Sequence, residues 1–407
     1  MHTTPVAERE LTLGHARQRI DKQLSDLSLS VTERWVGTAV GSAEVTLSDA
    51  VAAVSQGWGK GLEHEARVGA HYEALEHHLD HFHPRRVHFS LASRLADLPA
   101  LRDDFLQPWL EAQPDKTLAC QSYLGLNGDW LFDYPLALSK PGHADQPFTD
   151  ETFDYRGLRR YSSNDSSAIG ATFHEAVLHA LNQSIERDAL SLFFLRTYYY
   201  QQQPNLSWVC KPDSQTELGR IWRTAEECLE GEVKVLDISS EFISRSYLAL
   251  RVSPDSTLHG ALFGAGSSLD PWHGVRRAVT ELVQVQFNAR APGAMDDLNL
   301  ADSLLRPYPR LHACLQLDIE TLKQVPARDV GLPPPVARAS VAEQVDRLWA
   351  DLRRHGLQPG ICEVFRGMEG ISLVNVVVPG LERFHLVCTG NVVCPGPRGR
   401  AMGPRQP

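Results

Sequence analysis

The stretch that most limits how this chain can fold is "ATFHEAVLHALNQSIERDALSLFFL", residues 171–195. Thr172 with Glu175 three residues later is the signature of a capping box, so we predict a helix that begins at this point. At 100° per residue, Glu175 and Glu186 return to within about 20° of each other around the helix axis. Their sector also holds His179, Asn182 and Gln183, and the opposite sector holds Val177, Leu181, Ile185 and Leu192.

The polar sector of this helix has two interpretations. An amphipathic helix normally turns such a face to solvent. The alternative is a row of oxygen ligands for hard cations, which bind carboxylate and amide oxygens. A solvated helix face usually intersperses lysine, and this helix contains none. The missing lysine favours the ligand interpretation only slightly, so both stay open.

A second acidic pair, Glu73 and Glu76, lies in "GAHYEALEHHLDH". At i and i+3 the two carboxylates share a helix face and repel each other, which a counter-cation would explain. A polar face balanced by neighbouring histidines is the alternative. The neighbouring histidines could indicate a zinc site, but no H-E-x-x-H motif is present.

Composition excludes several classes of function. The net charge of −10 and the pI of about 5.9 leave no basic footprint for nucleic acid. No apolar run is long enough to span a bilayer and no secretory signal is evident, so we expect that the protein does not associate with a membrane. Seven scattered cysteines indicate reduced thiols in a cytoplasmic protein. A P-loop motif and a G-x-S-x-G motif are both missing from the sequence.

Strand-like and helical segments alternate loosely along the chain, so we predict an α/β fold (mixed α+β). We expect helices over 59–83, 272–289 and 341–356, strands over 247–253, 371–380 and 384–390, a long loop over 137–160 and a surface connection over 324–340. Residues 1–50 are predicted as an N-terminal extension that contacts a partner or a peptide leader. Residues 51–407 are predicted as the main domain with a proline-rich C-terminal tail.

Several blocks resemble the YcaO family, and they follow the family's order across residues 50 to 407. The blocks are "GAHYEALEH" (69–77), "SND" (163–165), "QSIERDA" (183–189), "GAGSSLDPWHGVRRAVTELVQ" (264–284), "VVVPGLE" (376–382) and "PGPRGRA" (395–401). The resemblance implies a fold of sheets flanked by helices, with a nucleotide site between acidic helices.

The resemblance also implies ATP and Mg²⁺ as cofactors. Carried over by position, the metal ligands would be Glu73, Glu76, Glu175 and Glu186. The nucleotide would contact Ser163, Asn164, Glu175, Gln183, Glu186 and Arg187, with Arg187 facing phosphate. No catalytic residue is assigned.

The activity implied is a cyclodehydratase of ribosomal-peptide modification, as in the biosynthesis of thiazole/oxazole-modified microcin antibiotics. ATP would activate backbone amide oxygens of a precursor peptide and give thiazoline or oxazoline rings at Cys, Ser or Thr. Thioamide formation, amidine formation and a non-catalytic scaffold remain alternatives. The expected partners are the precursor peptide, a leader-binding protein related to ubiquitin-activating enzymes and a flavin dehydrogenase, in a homodimer or hetero-complex.

The chain departs from the family pattern at several positions. Gln183 stands where the family usually has glutamate, which removes one charge from the expected metal site. Gln286 ends the third block where many members have arginine, and Asp165 replaces a glycine. The final "GPRQP" is not the P-x-P-x-P typical of azoline-forming members.

Overall fold

The computed structural model describes residues 7–202, 205–252, 262–291, 293–334 and 339–403. Its helices are α1 (Leu13–Asp26), α2 (Glu63–Phe82), α3 (Ala92–Ala96), α4 (Gln107–Glu111), α5 (Phe173–Phe194), α6 (Glu217–Leu229), α7 (Pro271–Asn288), α8 (Asp296–Leu305), α9 (Pro309–Gln316), α10 (Ile319–Gln324), α11 (Val341–Arg354) and α12 (Pro397–Met402). Its strands are β1 (Ser30–Gly37), β2 (Val40–Ser48), β3 (Ala53–Leu62), β4 (His88–Leu91), β5 (Thr117–Leu124), β6 (Trp130–Pro135), β7 (Ser167–Gly170), β8 (Leu206–Val209), β9 (Glu232–Asp237), β10 (Arg245–Val252), β11 (Gly264–Ser268), β12 (Ala327–Val330), β13 (Gly360–Arg366) and β14 (Ser372–Val377).

The strands form three sheets, which confirms the mixed α+β fold. One sheet has the order β1-β2-β3, and a second has the order β11-β10-β9-β8-β12. The third runs β4-β5-β13-β14-β7, with β6 paired to β5. All pairs found among the described residues are antiparallel except β8 with β12, which is parallel.

Helix α5 begins where the sequence predicts. Thr172 is the N-cap, and its Oγ1 accepts a hydrogen bond from the backbone N–H of Glu175 at 3.2 Å. The helix packs on β14 and β7 of the third sheet and on β10 and β11 of the second. Both of its predicted acidic ligands are buried, with Glu175 and Glu186 each only 3% exposed, and His179 and Gln183 of the same sector are partly buried. The solvated-face interpretation is therefore wrong.

Strand β3 packs closely against α2 at its glycines. A Cβ at Gly59 would lie 1.7 Å from the carbonyl oxygen of Ala66, so only glycine allows this approach. The sequence-based helix over 59–83 starts too early, because residues 59–62 pair with β2 and the helix begins at Glu63. The same hairpin joins residues on both sides of the predicted boundary at residue 50.

Two other segments differ from the sequence prediction. Residues 384–390 form a 3₁₀ helix over Phe384–Thr389 rather than a strand. Side chains of α5 hold this segment by its backbone, because Asp188 accepts the N–H of Glu382 and Ser191 accepts the N–H of His385. Within the predicted connection 324–340, residues 327–330 form the edge strand β12.

The remaining predicted elements are observed within a few residues of their expected bounds, and residues 137–160 form the expected loop with short 3₁₀ turns. Residues 404–407 of the predicted tail lie outside the described residues. None of the helices in the described ranges has the length and apolar character needed to cross a bilayer.

Candidate functional site

Helices α2, α5 and α7, strand β3 and the N-terminal segment enclose a cavity of about 390 Å³, here called the acidic cavity. Its size lies within the range of small-molecule sites in proteins. The acids that line it are Glu65, Glu73, Glu76, Glu175, Glu186 and Glu281, and the basic side chains are Arg9, Lys60, Arg187, Arg276 and Arg277. The four glutamates predicted from sequence thus face one cavity.

The two acids of α2 are each held by a backbone amide of a neighbouring strand. Glu73 Oε2 accepts from the N–H of Trp58 at 3.0 Å, and Glu76 Oε2 accepts from the N–H of Ile169 at 2.9 Å. Burial raises the pKa of Glu73. Burial, together with the charge of Glu73, raises the pKa of Glu76 to about 8. Both carboxylates are therefore costly to ionise without a nearby cation.

The polar side chains of α5 differ in how they are satisfied. Glu175 Oε1 accepts from the N–H of Glu10 at 2.7 Å, and its Oε2 accepts from the N–H of Ala171 at 3.3 Å. By contrast, Gln183 Oε1 and Glu186 Oε2 are buried oxygens without a hydrogen-bond partner. Burial raises the pKa of Glu186 even though Arg187 is adjacent. Other buried side-chain oxygens, such as those of Gln23 and Gln121, also have no partner, but the oxygens of Gln183 and Glu186 belong to side chains that line the cavity, where a ligand could satisfy them.

This donor set fits Mg²⁺, which prefers oxygen ligands and keeps positions for water and phosphate. Glu186 and Gln183 offer unpartnered oxygens, and the raised pKa values of Glu73 and Glu76 make both carboxyl groups sites where a nearby cation would favour the ionised form. Nowhere in the described part of the chain do three acidic, histidine or cysteine side chains already stand close enough to hold a metal ion by themselves. Phosphate oxygens and Gln183 would therefore have to complete the coordination.

The basic side chains on the opposite wall are already engaged. Lys60 forms an ion pair with Glu281, and Arg276 forms one with Glu65. Arg277 Nη1 lies 3.4 Å from His179 Nδ1. The pKa values of His179 and His273 lie well below the ordinary histidine value because both rings are buried beside arginines, so both are neutral. No role was predicted from sequence for Arg276, Arg277 and Glu281 of α7, although "RRAVTE" (276–281) belongs to the third resembling block.

The N-terminal segment closes one side of the cavity, which the sequence did not predict. Glu8 is 6% exposed with a φ of 61°, and its Oε1 accepts from Asn182 Nδ2 at 3.2 Å and from the hydroxyl of Ser268. A non-glycine residue in this left-handed region carries backbone strain. Glu8 is therefore held in place by its buried carboxylate.

Not every predicted residue lies at the acidic cavity. Arg187 lines it, but Ser163 and Asn164 lie on the loop before β7 and are not part of its lining. Ser163 Oγ donates to Asp165 Oδ2 at 2.5 Å, and the carbonyl of Asn164 accepts the N–H of Ser167 at 2.8 Å. Their contact with a nucleotide stays a prediction, as do the metal roles of the glutamates.

A family model described as "YcaO cyclodehydratase", binding ATP and Mg²⁺, matches residues 58–382. The chain belongs to the YcaO family. Membership assigns ATP and Mg²⁺ to it as cofactors, in agreement with the oxygen-rich cavity. A curated relative from Rhizobium leguminosarum bv. trifolii, an uncharacterized protein in the tfuA 3′ region, is 28% identical over 244 residues. That alignment spans 56% of this YcaO chain and 55% of the relative.

Solved structures share the YcaO fold at low identity. A heterocyclase in complex with substrate and cofactor matches with a TM-score of 0.65 at 17% identity, over 93% of this chain and 54% of that chain. The YcaO protein from Methanopyrus kandleri, bound with AMPPCP and Mg²⁺, gives 0.63 at 17%, over 93% and 94%. The E. coli microcin synthetase McbBCD complex gives 0.58 at 12%, over 87% and 88%. At these identities the matches establish the fold alone.

Proposed function

We propose that this YcaO protein uses ATP and Mg²⁺ to activate backbone amide oxygens of a ribosomal precursor peptide, giving thiazoline or oxazoline rings at Cys, Ser or Thr. The observation that carries the proposal is the acidic cavity, where Glu186 Oε2 and Gln183 Oε1 are buried without hydrogen-bond partners. A bound metal ion or phosphate would relieve the free-energy cost of burying these two oxygens, which supports a working ligand site in this cavity.

The residues of the cavity would divide the work between charge and position. Glu73, Glu76, Glu175 and Glu186, with Gln183, would hold the metal ions, and Arg187 and Arg277 would face phosphate. Bound Mg²⁺ neutralises the triphosphate during phosphoryl transfer, so the protein mainly positions the reactants. A Cys, Ser or Thr side chain would lose its proton and add to the carbonyl carbon of the preceding amide. The former carbonyl oxygen would take the γ-phosphoryl group of ATP and release ADP. Phosphate would then leave as the amide nitrogen loses its proton and the C=N bond of the ring forms.

Two alternative products follow the same activation step. An external sulfur nucleophile would give a thioamide, and an amine would close an amidine ring. A non-catalytic scaffold is the third alternative, since Gln183 leaves the site one carboxylate short of the family pattern. The product distinguishes these possibilities, because the proposed activation of the amide oxygen is common to the three reactions and the nucleophile differs.

The first test measures ATP turnover by the purified protein with Mg²⁺ and candidate Cys-, Ser- and Thr-rich precursor peptides from neighbouring genes. We expect Glu186→Ala to abolish turnover and leave the melting temperature close to that of the wild type. Glu63→Ala is the matched control, because Glu63 lies on α2 but does not line the cavity and pairs with Arg67. A Glu186→Ala protein that melts early yet hydrolyses ATP normally would assign Glu186 a structural role.

Mass spectrometry of the same peptides identifies the product. Loss of one water per site indicates cyclisation, and exchange of one oxygen for sulfur indicates thioamidation. Unchanged peptide without ATP consumption, in the presence of the partners below, would support the scaffold. We further propose a leader-binding partner related to ubiquitin-activating enzymes, a flavin dehydrogenase, assembly as a homodimer or hetero-complex, and a cytoplasmic location.

A further inference from the structure

Arg187 forms the wall between the acidic cavity and a second, smaller cavity of about 40 Å³. The small cavity is lined from the far side by Asp165, Tyr134 and Arg383, among others. Asp165 itself does not line the acidic cavity. Arg187 therefore has an anion on the side that faces away from any ligand of the acidic cavity.

Asp165 is fixed by three partners. Its Oδ2 accepts from His385 Nε2 at 2.8 Å and from Ser163 Oγ at 2.5 Å, and its Oδ1 lies 3.5 Å from Arg187 Nε. His385 is in turn held by Ser191, whose Oγ lies 3.2 Å from His385 Nδ1. Although burial opposes ionisation, Arg187 and the His385 hydrogen bond keep the pKa of Asp165 well below its ordinary value. Asp165 is thus a fixed, charged acid.

Arg187 lies between two acids. Its Nη1 is 3.7 Å from Glu186 Oε1, and its Nε faces Asp165 but makes no hydrogen bond. Lys60 pairs with Glu281 and Arg276 pairs with Glu65, and both of these acids line the cavity. Arg276 also lies 3.7 Å from Glu217, an exposed acid outside the cavity. Arg187 differs from these two because one of its two counter-ions, Asp165, is a hydrogen-bonded acid on the side away from the cavity.

We propose that Asp165 is a positioning residue that competes with bound phosphate for Arg187 and so weakens the affinity of the acidic cavity for a polyphosphate. The competition follows from charge, because a guanidinium paired with a fixed carboxylate offers less attraction to a second anion. The proposal deepens the proposed function, and it rests on that function for the nature of the anion. It also gives a physical consequence to the aspartate at a position where the family resemblance expects glycine.

The test compares the wild type with Asp165→Asn and Asp165→Gly by isothermal titration with Mg²⁺-tripolyphosphate, a probe without a nucleoside. Asparagine keeps acceptors for His385 and Ser163 but removes the charge. We expect both variants to bind about tenfold more tightly, the size of one regained charged hydrogen bond. Asp154→Asn is the control, because Asp154 pairs with Arg156 on the surface.

The same comparison with Arg187→Met as the background completes a double-mutant cycle. If Asp165 acts through Arg187, the gain in affinity disappears when the arginine is missing. Equal or weaker binding by both Asp165 variants, no binding by any protein, or a gain that persists without Arg187 would each overturn the proposal. Melting curves identify a variant that has lost its fold, and the asparagine variant then decides.

ATP turnover measured in parallel separates this proposal from the proposed function. If Asp165 sets affinity alone, Asp165→Asn lowers KM for ATP and leaves kcat nearly unchanged. A protein without turnover whose Asp165 variants still bind Mg²⁺-tripolyphosphate more tightly would contradict the catalytic function and support the role of Asp165.

Discussion

Single carboxylates determine what the acidic cavity can bind. Glu76 lies beside Glu73, and its carboxyl group is oriented by a hydrogen bond from the N–H of Ile169. Burial and the charge of Glu73 make its ionisation unfavourable at this position. Such an arrangement is stable as a protonated acid or as a cation ligand, and far less so as a free anion. As a metal ligand, the role proposed for it, Glu76 would couple proton release to metal binding.

This coupling predicts a pH dependence. The pKa of Glu76 is raised to about 8. At a pH below this value, metal-free Glu76 is protonated, and a cation must displace that proton. We expect the affinity for Mg²⁺-AMPPCP, measured by titration between pH 6.5 and 9, to rise with pH by at most about tenfold per unit and to level off above pH 8. Affinity that does not vary with pH would contradict this assignment.

The same shift affects stability with the opposite sign. Between about pH 4.5 and about pH 8, Glu76 holds a proton in the folded protein that it releases in the unfolded chain. The free energy of unfolding of the metal-free protein should therefore fall as pH rises through this range. Urea unfolding at several pH values measures the effect, and Glu76→Gln should reduce the slope.

Some residues of the site could be predicted from the sequence and others could not. Thr172, Glu175 and Glu186 follow from local rules, namely a cap and a helical repeat. Glu8 could not be found in this way, because its partners Asn182 and Ser268 are distant in the chain and the contact depends on the tertiary fold. Arg277 and Glu281 lie in the third resembling block, but the sequence alone does not indicate what role they have.

At the scale of elements, the cavity exists because polar faces of buried helices meet where glycines let a strand approach. The fit of β3 on α2 depends on Gly57 and Gly59, whose missing side chains leave room for helix backbone. The same contact brings Trp58 and Lys60 to the cavity wall. The packing of one strand therefore positions a hydrogen-bond donor and a cation of the site.

Replacing Gly59 by alanine should lower the free energy of unfolding by about 3 kcal/mol, because the new Cβ would overlap the carbonyl of Ala66. Gly69→Ala on α2, the helix that contains Ala66, is the control. Its Cβ would meet only Gly59 Cα at 3.7 Å, so it should raise stability by about 0.5–1 kcal/mol. Urea unfolding measures both, and similar values for the two variants would contradict the close-packing argument.

The elements that the sequence misassigned share a physical cause. The apolar run at 384–390 has strand-like composition, but Ser191 of α5 accepts the N–H of His385 within it, Asp188 accepts the N–H of Glu382 just before it, and the run forms a 3₁₀ helix. Edge strand β12 has four residues and follows Pro326, so its signal was too short to stand out. In both cases a partner distant in sequence decided the local structure.

At the scale of the whole molecule, the acidic cavity draws on four parts of the chain. They are residues 7–16, 58–76, 167–187 and 273–284, which belong to two different sheets, to the four helices α1, α2, α5 and α7, and to the segment before α1. No single element contains the site. A ligand that contacts all four parts should therefore suppress local opening in all of them.

Hydrogen exchange can test this expectation. On saturation with Mg²⁺-AMPPCP, we expect slower amide exchange in all four parts at once. The hairpin of β5 and β6 contributes no residue to the cavity and should exchange at an unchanged rate. Protection restricted to one part would show that the ligand binds elsewhere or contacts one wall alone.

The backbone contacts of Glu175 have a consequence for how the N-terminal segment and a metal ion affect each other. One carboxylate oxygen accepts from the amides of Glu10 and Leu11, at 2.7 and 3.4 Å, and the same oxygen is a candidate metal ligand. A cation that withdrew it would leave two amides without an acceptor. By reciprocity, any partner that pulls residues 10 and 11 away would alter metal affinity by the same factor as the metal alters its own.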